Sequence, residues 1–137
     1  MAVRTLDHVN IRTADVPGTA AFFRDVLGLR AETAPGAGSI DQGCWIHDPD
    51  GRAIVHIGPV GAAYPSDDAL PFTPARGSGA VHHVALECDD LPAMVARLDA
   101  AGLAVVRKDY PPANLCQLFV EERNGIILEL NFRLEAA

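Results

Sequence analysis

Four side chains of metal-binding type, His8, His56, His83 and Glu129, recur in frame along the chain. A lone histidine on an apolar strand is ordinarily a packed residue. Glu129 is harder to place in that way, because it lies in ILELNF among apolar neighbours, where a carboxylate without a partner is costly. Imidazole nitrogen together with one carboxylate suits a borderline divalent ion, namely Fe(II), Mn, Co, Ni or Zn. Such a site leaves open positions for substrate oxygens, and the ion is then a Lewis acid toward a carbonyl, enol or diol. Glu129, His56 or His47 are the candidates to move a proton there. Whether His56 is a ligand or an acid–base group is open at this level.

The frame that carries these residues is an internal duplication. LDHVNIRTADVPGTAAFFRDVLGL, from Leu6 to Leu29, corresponds to VHHVALECDDLPAMVARLDAAGL, from Val81 to Leu103. A shift of 75 sets His8 on His83, Asp15 on Asp90 and Pro17 on Pro92, and one deletion then sets Gly28 on Gly102. The tails match at a shift of 74, WIHDPDG ending at Gly51 against FVEERNG ending at Gly125. His56 and Glu129 fall on the apolar strands that follow.

Each copy reads as strand, helix, then three strands. LDHVNIRT and VHHVALEC alternate as strands with one packed face. Asp15 and Asp90 are N-cap residues with proline in the first turn, and Gly28 and Gly102 end the helices AAFFRDVL and AMVARLDAA. A short strand and a loop are expected in 31–43. Asp-Pro-Asp-Gly and Arg-Asn-Gly then supply the turns of two hairpins. The fold class is therefore α+β, two tandem βαβββ modules over 1–62 and 80–137. The Gly-, Pro- and Ala-rich stretch beginning at Gly58 supplies the linker, 63–79. Its length is unusual for a plain connection, so it is a candidate cover for the mouth of a site.

Alternation on the strands sorts the remaining residues. With His8 inward, Asn10 and Arg12 share its face; with His83 inward, Ala85 and Glu87 do. Ile54 accompanies His56, and Ile127 and Asn131 accompany Glu129. Trp45 with His47, and Phe119 with Gln117, complete a candidate substrate pocket of Asn10, Arg12, Trp45, Gln117 and Phe119. Apolar walls with a few polar groups suit a small ligand. Arg12 is the group there that could hold an anion. His82 points away from His83. Cys44, Cys88 and Cys116 have the opposite parity and read as buried structural thiols.

Composition bounds the rest. The 137 residues are 49% hydrophobic and 21% charged, which fits one folded domain. A net charge of −7 argues against a nucleic-acid partner. No apolar run reaches the roughly 20 residues of a membrane helix. The N-terminus lacks a signal-peptide layout, and three scattered cysteines suit a reducing cytoplasm.

The duplicated βαβββ pattern, FFRDVLGL at the first helix end, VHHVALECDDL and NGIILELNF together resemble the vicinal oxygen chelate superfamily. Its members include glyoxalase I, methylmalonyl-CoA epimerase, extradiol dioxygenases and bleomycin-binding proteins. The resemblance implies a cupped mixed sheet with helices outside. It also implies a divalent metal held by His8, His56, His83 and Glu129 on the first and last strands of each module. It implies a small-molecule substrate and a homodimer, with each site inside one chain or shared between two. Isomerase, epimerase or lyase chemistry is the first expectation, with ring-cleaving dioxygenation or non-catalytic ligand binding as alternatives. The chain has His56 where glyoxalase I-like proteins carry a carboxylate and the epimerases usually carry Gln. It has Phe119 where extradiol enzymes carry a tyrosine.

Overall fold

The computed structural model describes residues 2–134. The chain divides into two compact units, Met1–Pro74 and Ala75–Ala137. The first contains β1 (Val9–Thr13), α1 (Val16–Ala21), β2 (Arg30–Thr33), β3 (Cys44–His47) and β4 (Ala53–Pro59). The second repeats it as β5 (His83–Cys88), α2 (Leu91–Ala100), β6 (Val105–Tyr110), β7 (Leu115–Glu121) and β8 (Ile127–Arg133). Each unit is thus a βαβββ module. Its sheet has the order β1-β4-β3-β2 or β5-β8-β7-β6. In both, the first and last strands pair in parallel and the other pairings are antiparallel. Most of the stretch read as the linker, up to Pro74, belongs to the first compact unit.

The duplicated residues do the same work twice. Asp15 Oδ1 accepts from the Gly18 N–H at 3.0 Å, and Asp90 Oδ1 from the Ala93 N–H at 3.3 Å, so each caps its helix start. Gly28 and Gly102 stand at φ 77° and 68°, the left-handed geometry that ends a helix. The hairpin turns share a device that the sequence reading did not assign. Asp48 Oδ1 accepts from the Asp50 and Arg52 N–H groups at 3.0 and 2.8 Å. At the matching place, Glu122 accepts from Asn124 N, Asn124 Nδ2 and Ile126 N at 2.5, 3.0 and 3.1 Å. Glu122 is only 1% exposed, and these donors make its burial tolerable.

Strand alternation sorts the faces as expected. Ile11, Cys44, Ile46, Val55 and Ile57 are buried in the first unit, as are Cys116, Leu118, Val120, Leu128, Leu130 and Phe132 in the second. The helices contribute Val16, Ala20, Met94 and Leu98 to these cores. Cys88 departs from its buried reading: it is half-buried at the end of β5. The first helix departs too. After Ala21 it widens into a π-helical turn over Phe22–Val26, with Leu27 N–H donating to Phe22 O at 3.2 Å. Neighbours on an α-helix point about 100° apart; here the consecutive Phe22 and Phe23 are both buried, ring centres 5.7 Å apart edge to face.

Candidate functional site

The other face of each sheet carries the residues chosen for chemistry, and register places them equivalently. In the first unit His56 of β4 is flanked by Asn10 of β1 and Trp45 of β3. In the second, Glu129 of β8 is flanked by Ala85 of β5 and Phe119 of β7. Asn10 and Ala85 are duplication partners, and Trp45 and Phe119 are as well. His56 and Glu129 therefore hold the same position in the two modules. Each has its module's leading histidine beside it.

In the second unit, His83 Nε2 lies 3.9 Å from Glu129 Oε2. Two ligands of one tetrahedral ion at about 2.1 Å stand about 3.4 Å apart, so this pair can share an ion with little movement. Glu129 is oriented by its neighbours. Asn131 Nδ2 donates to Glu129 Oε2 at 2.9 Å, and Gln117 Nε2 donates to Asn131 Oδ1 at 3.1 Å. The carboxylate side chain is only 13% exposed, so this relay partly offsets its desolvation. Phe119 stands edge-on to His83 at 6.5 Å. His82, expected to point elsewhere, is exposed but shares a 3.0 Å Nδ1–Nδ1 hydrogen bond with His83. Glu87 is exposed and lies 3.7 Å from Arg133 Nε.

In the first unit three rings stack. His8 lies over His56 at 3.8 Å and His56 over Trp45 at 4.2 Å, each pair within 11° of parallel. Asp7 Oδ2 sits 2.5 Å from His8 Nδ1, and this bond holds the Asp7 carboxyl below its usual range. The Asp7 carboxylate engages His8 Nδ1 and leaves Nε2 over, the arrangement that fixes a ligating tautomer. Burial, reinforced by nearby His8, lowers the pKa of His56 and favours its neutral, ligand-competent form. Lone pairs of imidazole lie in the ring plane, so two parallel rings cannot both aim at one ion. His8 must turn off the stack to join His56 on a metal. Among the described residues no group of three or more His, Cys, Asp or Glu is placed to hold an ion. With that turn, the donor types of each pair fit a borderline divalent ion.

His47 lies near Trp45, ring centres 6.5 Å apart. Its Nδ1 is buried without a hydrogen-bond partner. Asn10 and Arg12 border two cavities of the first unit, about 640 and 350 Å³. Tyr64, which the sequence reading did not single out, borders both. It comes from the Gly- and Pro-rich stretch, whose length was the one signal that it covers something.

A family model of the Glyoxalase/Bleomycin resistance protein/Dioxygenase superfamily matches residues 7–118. The chain belongs to this superfamily. It is 30% identical over 133 residues to a protein of Cereibacter sphaeroides named ethylmalonyl-CoA/methylmalonyl-CoA epimerase, covering 91% of this chain and 95% of that one. Among solved structures of the superfamily's fold, a glyoxalase/dioxygenase from Nostoc punctiforme superposes with TM-score 0.68 at 16% identity, over 98% of this chain and 94% of that one. A lactoylglutathione lyase from Agrobacterium tumefaciens gives 0.65 at 19% identity over 96% of each. Among the described residues no helix is long and apolar enough to cross a membrane.

Proposed function

We propose that the chain is a divalent-metal-dependent epimerase acting on the acyl-CoA thioester of a substituted malonic acid. The observation that carries this reading is the equivalent placement of two ligand pairs, His8 with His56 and His83 with Glu129, on a duplicated frame. The epimerase relative supports the substrate class. His8, His56, His83 and Glu129 hold the ion, from one chain or from two chains of a homodimer. The chemistry such an ion supplies is Lewis acidity toward a substrate carbonyl oxygen, which acidifies the neighbouring C–H.

This chain's residues do the rest. Asn131 and Gln117 keep Glu129 turned toward His83. Trp45 and Phe119 provide apolar walls against which the acyl group lies. His47, beside Trp45 with ring centres 6.5 Å apart, is the acid–base residue we assign. It takes the proton from the carbon between the two carbonyl groups. Solvent delivers a proton to the opposite face of that carbon and His47 releases its own to solvent, which inverts the centre with no net oxidation or group transfer.

The test is hydrogen exchange at that carbon. Protein loaded with Co(II) is mixed with methylmalonyl-CoA in D₂O and loss of the C–H signal is followed by NMR. Exchange well above the spontaneous rate is expected, abolished by Glu129→Gln and slowed by His47→Gln at unchanged metal content. No exchange above the spontaneous rate with Fe(II), Mn, Co, Ni or Zn would overturn the reading.

A further inference from the structure

We infer that the first unit carries an oxyanion-binding site built from Arg12 and Asn10 and roofed by Tyr64. The Arg12 guanidinium is fixed at one face and at one end. Its carbon lies 3.7 Å from the centre of the Tyr64 ring. Its Nη1 end abuts Gly58, the strand partner of Arg12 in the β1–β4 pairing, where an added Cβ would overlap Nη1. Glycine at that position lets the guanidinium lie against the β4 backbone. The guanidinium is held in place and half-buried, with the N–H groups away from Gly58 left to bind.

Among the described residues these N–H groups make no hydrogen bond. Among the described residues no carboxylate pairs with Arg12, in a chain of net charge −7. Asp67, the carboxylate bordering the same 640 Å³ cavity, is engaged by the Tyr64 N–H at 2.7 Å. Asn10 Nδ2 donates to Tyr64 Oη at 2.5 Å, so the tyrosine hydroxyl occupies the donor that an entering oxygen takes over. A planar fork of N–H groups beside an amide donor matches the oxygens of a carboxylate or a phosphate. The site stands on this geometry. Its assignment to an oxyanion of an acyl-CoA substrate, at the acyl carboxylate or the phosphate end, rests on the epimerase reading.

The experiment uses chelator-treated protein titrated separately with methylmalonate, coenzyme A and inorganic phosphate. Binding is read by calorimetry and by fluorescence of Trp45, the sole tryptophan, which borders the 350 Å³ cavity with Arg12. At least one probe binds, and its affinity falls roughly tenfold or more in Arg12→Met. Gly58→Ala weakens it less, and Tyr64→Phe, which keeps the stacked ring, retains it. Arg97→Met, the same charge change on α2, leaves it unchanged. Methylmalonate alone binding assigns the carboxylate; coenzyme A and phosphate binding assign the phosphate end. Should Arg12→Met fail to fold by circular dichroism, Arg12→Gln replaces it. Absence of binding by all three probes, or binding indifferent to the Arg12 substitution, overturns the site. Because neither metal nor turnover is needed, Arg12-dependent binding without α-hydrogen exchange sinks the epimerase reading alone. Exchange with Arg12-independent binding sinks the oxyanion site alone.

Discussion

Replacing Asn131 by Leu tests whether Glu129 is a metal ligand held by a supporting shell. The substitution keeps the side-chain volume and removes two hydrogen bonds, the 2.9 Å bond to Glu129 Oε2 and the 3.1 Å bond from Gln117 Nε2. A hydrogen bond to a charged group contributes about 1.5–3 kcal/mol. Asn131 is half-buried, so the lower end applies. At about 1.4 kcal/mol per decade the free carboxylate loses roughly tenfold in its preference for the ligating orientation. The loss of a ligand's hydrogen-bond partner ordinarily costs about 10–100-fold in metal affinity, so the two routes agree. Co(II) titration of chelator-stripped protein by calorimetry measures this, with Gln117→Leu, one bond further out, expected to have a smaller effect. Co(II) affinity unchanged within about twofold in Asn131→Leu, with the fold intact, would refute the reasoning.

Glu122→Ala removes the buried acceptor of the Asn124 and Ile126 N–H groups in a half-buried turn and is expected to cost about 3 kcal/mol, while Asp48→Ala at the more open turn costs about 1 kcal/mol; thermal unfolding checks the ratio, and equal costs would contradict it. Burial pushes the Cys88 thiol up to about 11, leaving about one part in a thousand as thiolate at pH 8, against about a quarter for an unperturbed cysteine. Cys44 and Cys116 are raised by burial too and are fully enclosed. Alkylation of the native protein at pH 8 is therefore slow at all three cysteines, accelerating at Cys88 as pH rises toward 11; fast modification of the native protein near neutral pH would contradict this.

The duplication was readable because equivalent backbone tasks need equivalent residue types: a side-chain acceptor at Asp15 and Asp90, and a left-handed glycine at Gly28 and Gly102. The face on which Trp45, His56, Phe119 and Glu129 lie was readable because strand alternation has a strict period. Glu122 and Asp48 stood in matching places, yet an acidic residue beside a turn is commonly solvated, and only the structure reveals the burial that makes Glu122 structural. The π turn at Phe22 was hidden because two adjacent phenylalanines fit one α-helical face poorly in any reading, and the widened hydrogen bonding is a tertiary outcome. Tyr64 was hidden because no periodicity connects it to β1; its docking on Asn10 and Arg12 depends on the path of an aperiodic segment.

The most direct test of the metal site is the metal content of untagged protein purified without added ions, measured beside His8→Ala, His56→Ala, His83→Ala and Glu129→Gln. The expected result is a divalent ion in the parent protein and strong loss in each of the four variants. Full retention of the ion by both His83→Ala and Glu129→Gln would contradict the assignment of one donor set drawn from both modules.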